Sequence, residues 1–335
     1  MRNSPRDDRA RSLRDAADQT PLPGIIDTIG NGFAALAMRP FVALPLILLD
    51  LYLLLMPQVA LRPLAESIAA HVDGRGAGWD GVVTEIERLE RFNAFDLAII
   101  RVPLARLPAL IPKLTDEERA TTGWNDVWSS LPSWSVVIVG IVVFIAGLLV
   151  SALYRSLMAE LARPTAALRD ALAPASLKRC SGELFGWILA VLGLITLVSM
   201  PVIVLTIAGA LLGLESLTIA WIFVLVPISW GFVHFYFSIH ALFLDRCGPM
   251  QALKASYQVV RGNFWQSIQF IALSFLLTTG LTYALTAMAA DPLGVFLAIV
   301  LNAFVATGMI VAAMLFYRDR ACRLATSTYS SVSGR

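Results

Sequence analysis

Cysteine, histidine and charge are all scarce in this chain. Three cysteines and three histidines occur in 335 residues, and 15% of the residues are charged. Each scarcity excludes something. Cys180, Cys247 and Cys322 lack the C-x₂₋₄-C pairing of a zinc site. There is no Gly-rich phosphate loop, no G-x-S-x-G and no H-E-x-x-H. No segment between the apolar runs on the inner side is long enough to be a catalytic domain. The net charge is +2, and no basic block interleaved with aromatics points to nucleic acid. Neither an enzyme nor a cofactor-binding protein is expected.

Apolar residues are abundant instead, at 57% of the chain. Soluble domains carry about 45–50% apolar and about 25% charged residues. Runs of transmembrane length alternate with short charged segments. The expected fold is all-α: a polytopic helical bundle with six spans near 41–56, 134–154, 185–212, 217–244, 264–288 and 292–317. The links 213–216 and 289–291 are tight and make antiparallel hairpins. Residues 1–20 are polar and arginine-bearing with no apolar core behind them. They predict a disordered segment rather than a cleaved signal. Residues 21–323 form the membrane domain, and 324–335 a polar tail.

Lysine and arginine set the expected orientation. With both termini cytoplasmic, the inner segments carry Arg39; Arg155, Arg163, Lys178 and Arg179; Arg246, Lys254 and Arg261; and Arg318, Arg320 and Arg323. The two short outer links carry none. The long outer loop 57–133 is basic in places, but its acids outnumber its bases. All three cysteines fall at inner ends of spans, where a reducing compartment keeps thiols. The expected location is a cell's inner (plasma) membrane. Within the loop, 95–112 is apolar but interrupted by Pro103, Pro108 and Pro112. It predicts a cap on the bundle or a segment lying on the outer leaflet.

One stretch, 247–265, organises the rest. Pro249 suits a first helical position. Met250, Leu253, Tyr257 and Val260 fall on one helical face, and Gln251, Lys254, Gln258 and Arg261 on the other. Gly262 is placed to end the helix in the left-handed conformation, Asn263 to cap the next one, and Phe264 and Trp265 to sit at the membrane boundary. Two weaker relatives precede other spans. Residues 24–39 align Ile25, Ile29, Phe33 and Leu36/Ala37. Residues 164–183 align Leu168, Ala171, Leu172 and Leu177, broken by Pro174. The pattern predicts three repeats of an inner-surface helix followed by a hairpin of spans. Arg39, Lys178, Arg179, Lys254 and Arg261 are then candidate contacts to anionic inner-leaflet lipid. The alternative is a cytoplasmic platform for a protein partner.

A few polar residues lie inside the spans. Asp50, in L-L-D-L-Y, is costly in a bilayer and must face protein or water. It is a proton or cation site, a structural residue bonded within the bundle, or a residue near the outer interface of a short span. His234 and His240 are six apart and share no helical face, so they make a poor metal pair. Trp230, His234 and Ser238 do share one, which predicts a polar strip between helices. His240 is expected near the inner interface. Ser274, Thr278, Thr279 and Asn302 read as interhelical hydrogen bonders. Pro201 and Pro227 fall mid-span, where proline kinks a helix. Asp50, His234, Ser238 and Asn302 together form the candidate intramembrane site.

The stretch G-P-M-Q-A-L-K-A-S-Y-Q-V-V-R-G-N-F-W follows a span ending A-L-F-L-D-R. About fifty residues further on, a span ends L-F-Y-R-D-R. This combination resembles the membrane domain of glycerophosphoryl diester phosphodiesterases and related stand-alone multi-span bacterial proteins. It covers 241–323 best and 163–244 loosely. In the fused members, hydrolysis belongs to a separate soluble barrel with histidines, acids and a divalent metal. That activity does not transfer to this chain. The resemblance implies a six-span module connected with lipids or membrane homeostasis. The expected function is a lipid-associated scaffold or accessory module, and the alternative is a small transporter or lipid-handling permease.

Overall fold

A computed structural model describes residues 22–55, 133–163, 174–211, 218–288 and 291–333. The outer loop lies outside them up to residue 132, as do residues 1–21 and 164–173. The described residues build an all-α polytopic bundle. Its helices are α1 (Ile25–Met38), α2 (Leu44–Leu55), α3 (Ser133–Ala162), α4 (Pro174–Leu211), α5 (Thr218–Phe235), α6 (Ser238–Leu244), α7 (Pro249–Gly262), α8 (Phe264–Met288) and α9 (Pro292–Ser333), with a 3₁₀ turn at Pro40–Ala43 between α1 and α2. Five helical segments are long and apolar enough to cross a membrane. A sixth crossing requires α1 and α2 to act as one span bent by 99°. The twelve residues of α2 rise about 18 Å alone, short of the roughly 30 Å hydrocarbon core.

Helix α9 is the axial column. It packs against α1, α2, α3, α6, α7 and α8. An 18-residue apolar window within Leu293–Ala325 is 56% buried, against 17% for one within Ser176–Pro201 of α4, which runs along the periphery. Asp291 starts α9 by accepting the Gly294 N–H at 3.1 Å, with Pro292 at the first helical position. The helix continues to Ser333, so the tail expected at 324–335 is helical through its first ten residues.

Helix α1 lies against α9 rather than clear of the spans. A Cβ on Gly32 would meet Ala312 at 2.7 Å, and one on Gly308 would meet the Phe33 ring at 2.5 Å. The buried face is Thr28, Ile29, Gly32 and Leu36. Ala37 is exposed. Of the expected face, Ile29 and Leu36 are buried and Ile25 and Phe33 pack on the core, with Thr28 and Gly32 joining them. Small residues take the contact because the backbones approach closely there.

Of the segment 164–183, residues 164–173, with Leu168, Ala171 and Leu172, lie outside the described residues. Pro174, where the break is expected, opens α4, and residues 174–183 are the first turns of a continuous 38-residue helix that runs through Pro201. Proline at a first helical position starts a helix. The unit recurs before α2 and α8, and the described part of the remaining copy, 174–183, is continuous with the span at α4. In the fourth span the break falls at Tyr236–Phe237, nine residues beyond Pro227. Ser238 Oγ donates to the Phe235 carbonyl at 2.5 Å, and Ser256 Oγ of α7 donates to the His234 carbonyl at 2.7 Å. Carbonyls at a helix end need such donors inside a membrane. Phe237 at the break stacks on Phe316 at 5.1 Å, and Phe270 closes on Phe316 at 4.5 Å.

Helix α7 seats Ala252, Leu253, Ser256, Val259 and Val260 in the bundle. Met250 and Tyr257, expected inside, are exposed. The small Ala252 and Ser256 bring the backbone close enough for the Ser256 bond. Gln251, Lys254, Gln258 and Arg261 are all exposed, as expected. Gly262 ends α7 without a left-handed turn and has Leu324 packed over it, 3.3 Å from where a Cβ would sit. Asn263 caps backward: its side-chain amide donates to the Val259 carbonyl at 3.3 Å. Helix α8 spans Phe264–Met288, where the hydropathy placed it.

Candidate functional site: an interior polar centre and a basic rim

The polar residues singled out from the sequence sit in several settings. Asp50 is fully buried on α2, within electrostatic reach of Tyr154 on α3. That places its side chain inside the bundle. His234 sits in an aromatic box, with ring centroids 4.6 Å from Trp230, 5.3 Å from Tyr257 and 6.1 Å from Phe264. Ser238 accepts the Trp187 indole N–H at 3.0 Å. Asn302 Oδ1 lies 3.5 Å from the Thr282 hydroxyl. Thr278 turns its hydroxyl to the Ser274 carbonyl of its own helix at 2.7 Å, so it is not the interhelical bonder expected. Thr279 is exposed.

A further set of groups gathers around Tyr154 and Arg155. Tyr154 shares a 2.8 Å hydrogen bond with Thr307 of α9. Arg155, next along α3, is buried and faces Tyr154, Tyr236 and His240 electrostatically. His240 stacks on Tyr236 at 6.0 Å and is buried as well. Arg155 was counted as an inner-segment charge, and His240 was expected at the interface. Both side chains are buried in the bundle, since α3 continues to Ala162 and α6 packs on it. The interior centre thus joins α2, α3, the Tyr236–Phe237 break, α6 and α9, and contains an acid, a base, an imidazole and two phenols.

A second cluster closes one end of the bundle. Glu160, buried on α3, accepts Arg163 Nη1 at 2.9 Å and Arg246 Nη2 at 3.4 Å. Arg163 Nη2 also donates to the carbonyls of Phe243 and Leu244 at 2.6 and 2.5 Å, capping α6. Arg318 reaches the Ala162 carbonyl and pairs with Asp319 at 2.9 Å. Tyr317 donates to Asp245 at 2.5 Å. Arg320 lies 3.4 Å over the Phe316 ring and donates to Gln266 at 3.1 Å. Guanidinium groups thus tie the end of α3, the end of α6 and the 317–320 turn of α9 together. Between them is a cavity of about 10 Å³, bordered by Ser156 and Glu160. That is room for roughly one water.

This rim holds few reactive groups. Burial pushes the Cys247 thiol up, and the neighbouring Asp245 adds to the shift. A raised thiol carries little thiolate near neutrality, which disfavours a nucleophilic role. Among the described residues no three His, Cys, Asp or Glu side chains gather where they could hold a metal ion.

Compared with protein-family models, curated proteins and solved structures, the chain matches none of them.

Proposed function

We propose that this protein is a lipid-associated integral membrane module that supports membrane organisation without catalysis of its own. The observation that supports it is α7. One face of this helix is built into the bundle, and the other presents Gln251, Lys254, Gln258 and Arg261 outward, with Trp265 exposed beside its end. A basic amphipathic helix of this kind is suited to an anionic leaflet. On this reading the basic end is cytoplasmic, both termini lie on that side of a plasma membrane, and α1 with α2 makes the sixth crossing. The resemblance of 248–265 to the membrane domain of the phosphodiesterases agrees with a lipid role.

The test places a spin label at Gln258→Cys in vesicles of phosphatidylcholine, with and without phosphatidylglycerol. Deeper immersion with the anionic lipid is expected, and neutralising Lys254 and Arg261 should remove the difference. Equal depth in both membranes would sink the reading. Reporter fusions at the two termini check the topology, which requires both on one side.

A transporter remains the second reading because of one observation, the fully buried Asp50 beside Tyr154. It predicts that Asp50→Asn leaves the fold intact and abolishes a proton or cation flux in vesicles.

A further inference from the structure

The peripheral helix α4 carries one stripe that changes character along its length. Arg179, Glu183, Gly186 and Ala190 recur at spacings of four, three and four, so they share a face. From Arg179 to Ala190 the stripe descends about 16 Å along the axis. At its upper end Arg179 meets the backbone of Arg246. Arg179 is 67% exposed; it pairs with Glu183 at 2.8 Å and donates to the Arg246 carbonyl at 3.4 Å. Arg246 is 48% exposed and reaches back to Glu160. Each guanidinium carries five N–H donors, so both keep donors facing out. Arg246 also holds a backbone φ of 50°, a conformation non-glycine residues seldom adopt. The Arg179 bond to its carbonyl and the Glu160 contact hold it there.

Below this pair the stripe borders a groove of about 470 Å³ between α4 and the start of α7, lined by Gly186, Ala190, Gly248, Pro249, Met250 and Gln251. The groove is wide open on its outer side. Gly186 sets the close approach of the two helices, since a Cβ there would lie 3.2 Å from the Pro249 ring. Ala190 keeps the floor low one turn further on. Met250, exposed at the edge, is a soft side chain that adapts to a mobile occupant. Charge at the polar end and an apolar channel running into the bilayer are the two halves of an anionic phospholipid.

We propose that this seam binds one anionic phospholipid, with its phosphate between Arg179 and Arg246 and one acyl chain along Gly186 and Ala190. The groove commits to a lipid over a peptide, because its lining is mostly apolar and would leave a peptide's backbone groups unpaired. The inference rests on the lipid-associated reading but concerns a different surface from the outer face of α7.

The test is native mass spectrometry of the full chain released from vesicles of phosphatidylcholine and phosphatidylglycerol. One retained phosphatidylglycerol is expected. Arg179→Gln should weaken its retention about fivefold, the effect of one basic residue near a lipid surface. Ala190→Phe fills the groove without touching charge and should weaken it at least as much. Melting temperature serves as the folding control, and Ala190→Ser, which keeps the floor low, should retain lipid as the native chain does. If neither Arg179→Gln nor Ala190→Phe alters retention in folded protein, the site is wrong. If retention falls only with Lys254→Gln and Arg261→Gln, the broader lipid reading stands and this seam is overturned. Equal retention of phosphatidylcholine would also overturn it, because the arginine pair would then select nothing.

Discussion

The basic rim and the α1–α9 seam hold the bundle by opposite means. At the rim, long guanidinium side chains from α3 and α9 reach across gaps to carbonyls and carboxylates on α3, α6 and α8. At the seam nothing reaches. Gly32 lets α1 close onto Ala312, and Gly308 makes room for Phe33. The difference follows the solvent. Within hydrocarbon there is no hydrophobic drive between helices, so close van der Waals packing must supply cohesion. At the end of the spans water and headgroups lower the cost of a charge, and a flexible cation can satisfy the open carbonyls of a helix terminus. The rim tolerates small displacements of helices, whereas the seam does not.

The sharpest way to break the comparison is to remove the rim's central cation. Arg163→Ala deletes the 2.9 Å partner of buried Glu160 and the donor to two carbonyls at the end of α6. Removing one member of a buried pair costs about 3–5 kcal/mol. The variant should show a large fall in melting temperature in detergent. Arg163→Ala combined with Glu160→Gln should recover part of it, because the orphaned charge goes too. Without that recovery, the carbonyl bonds rather than the ion pair dominate this residue.

Gly32→Val probes the seam. Its Cβ would meet the Ala312 nitrogen, Cα and Cβ within 2.8 Å, and backbone cannot move aside. Overpacking costs about 1–3 kcal/mol. Gly308→Ala meets only the Phe33 ring, which can swing away, so it should cost less. Equal losses in the two variants would mean that the seam yields as readily as the rim, and the contrast between them would collapse.

The seam and the rim also differ in how far the chain announces them. Spans such as Phe264–Met288 are legible because hydropathy over some twenty residues is a local property. The basic end was legible for the same reason, as a bias in lysine and arginine. The Tyr236–Phe237 break was not. Neither glycine nor proline marks it, and its remedy, Ser256, lies twenty residues away on another helix. Arg155 was read as a rim charge because it follows the apolar run 134–154. Only the packing of α3 against α6 and α9 makes it interior. The α7 face is shifted by about one position from the expected one, because large apolar residues set the periodicity while small ones, Ala252 and Ser256, make the contacts. The interior polar centre is the least legible. Asp50 was singled out, but Tyr154, Thr307 and His240 gather near Asp50 and Arg155 through tertiary contact alone.

Between the extremes lies Ser256. Its hydroxyl bond to the His234 carbonyl is a single neutral hydrogen bond in a buried setting. Ser256→Ala should cost about 1 kcal/mol. Hydrogen exchange should locate the loss at 234–240 rather than spread it over α7. A broad loosening of α7 would show instead that the bond anchors the surface helix, and that the break is held by the Phe237–Phe316 stack alone.

The smallest effect is expected where charge touches nothing in the bundle. Lys254 and Arg261 are exposed on the outer face of α7, and their helix is already fixed by Ala252, Ser256, Val259 and Val260 on the other side. Surface substitutions away from packing and caps leave stability almost unchanged. Lys254→Gln with Arg261→Gln should therefore melt with the native chain in detergent, and differ from it only when anionic lipid is present. The rim arginines are the reverse case: they act in detergent and membrane alike, because their partners are protein. A fall in the melting temperature of the double variant in neutral detergent would place these two cations among the structural ones. Lipid contact would then no longer be needed to account for them.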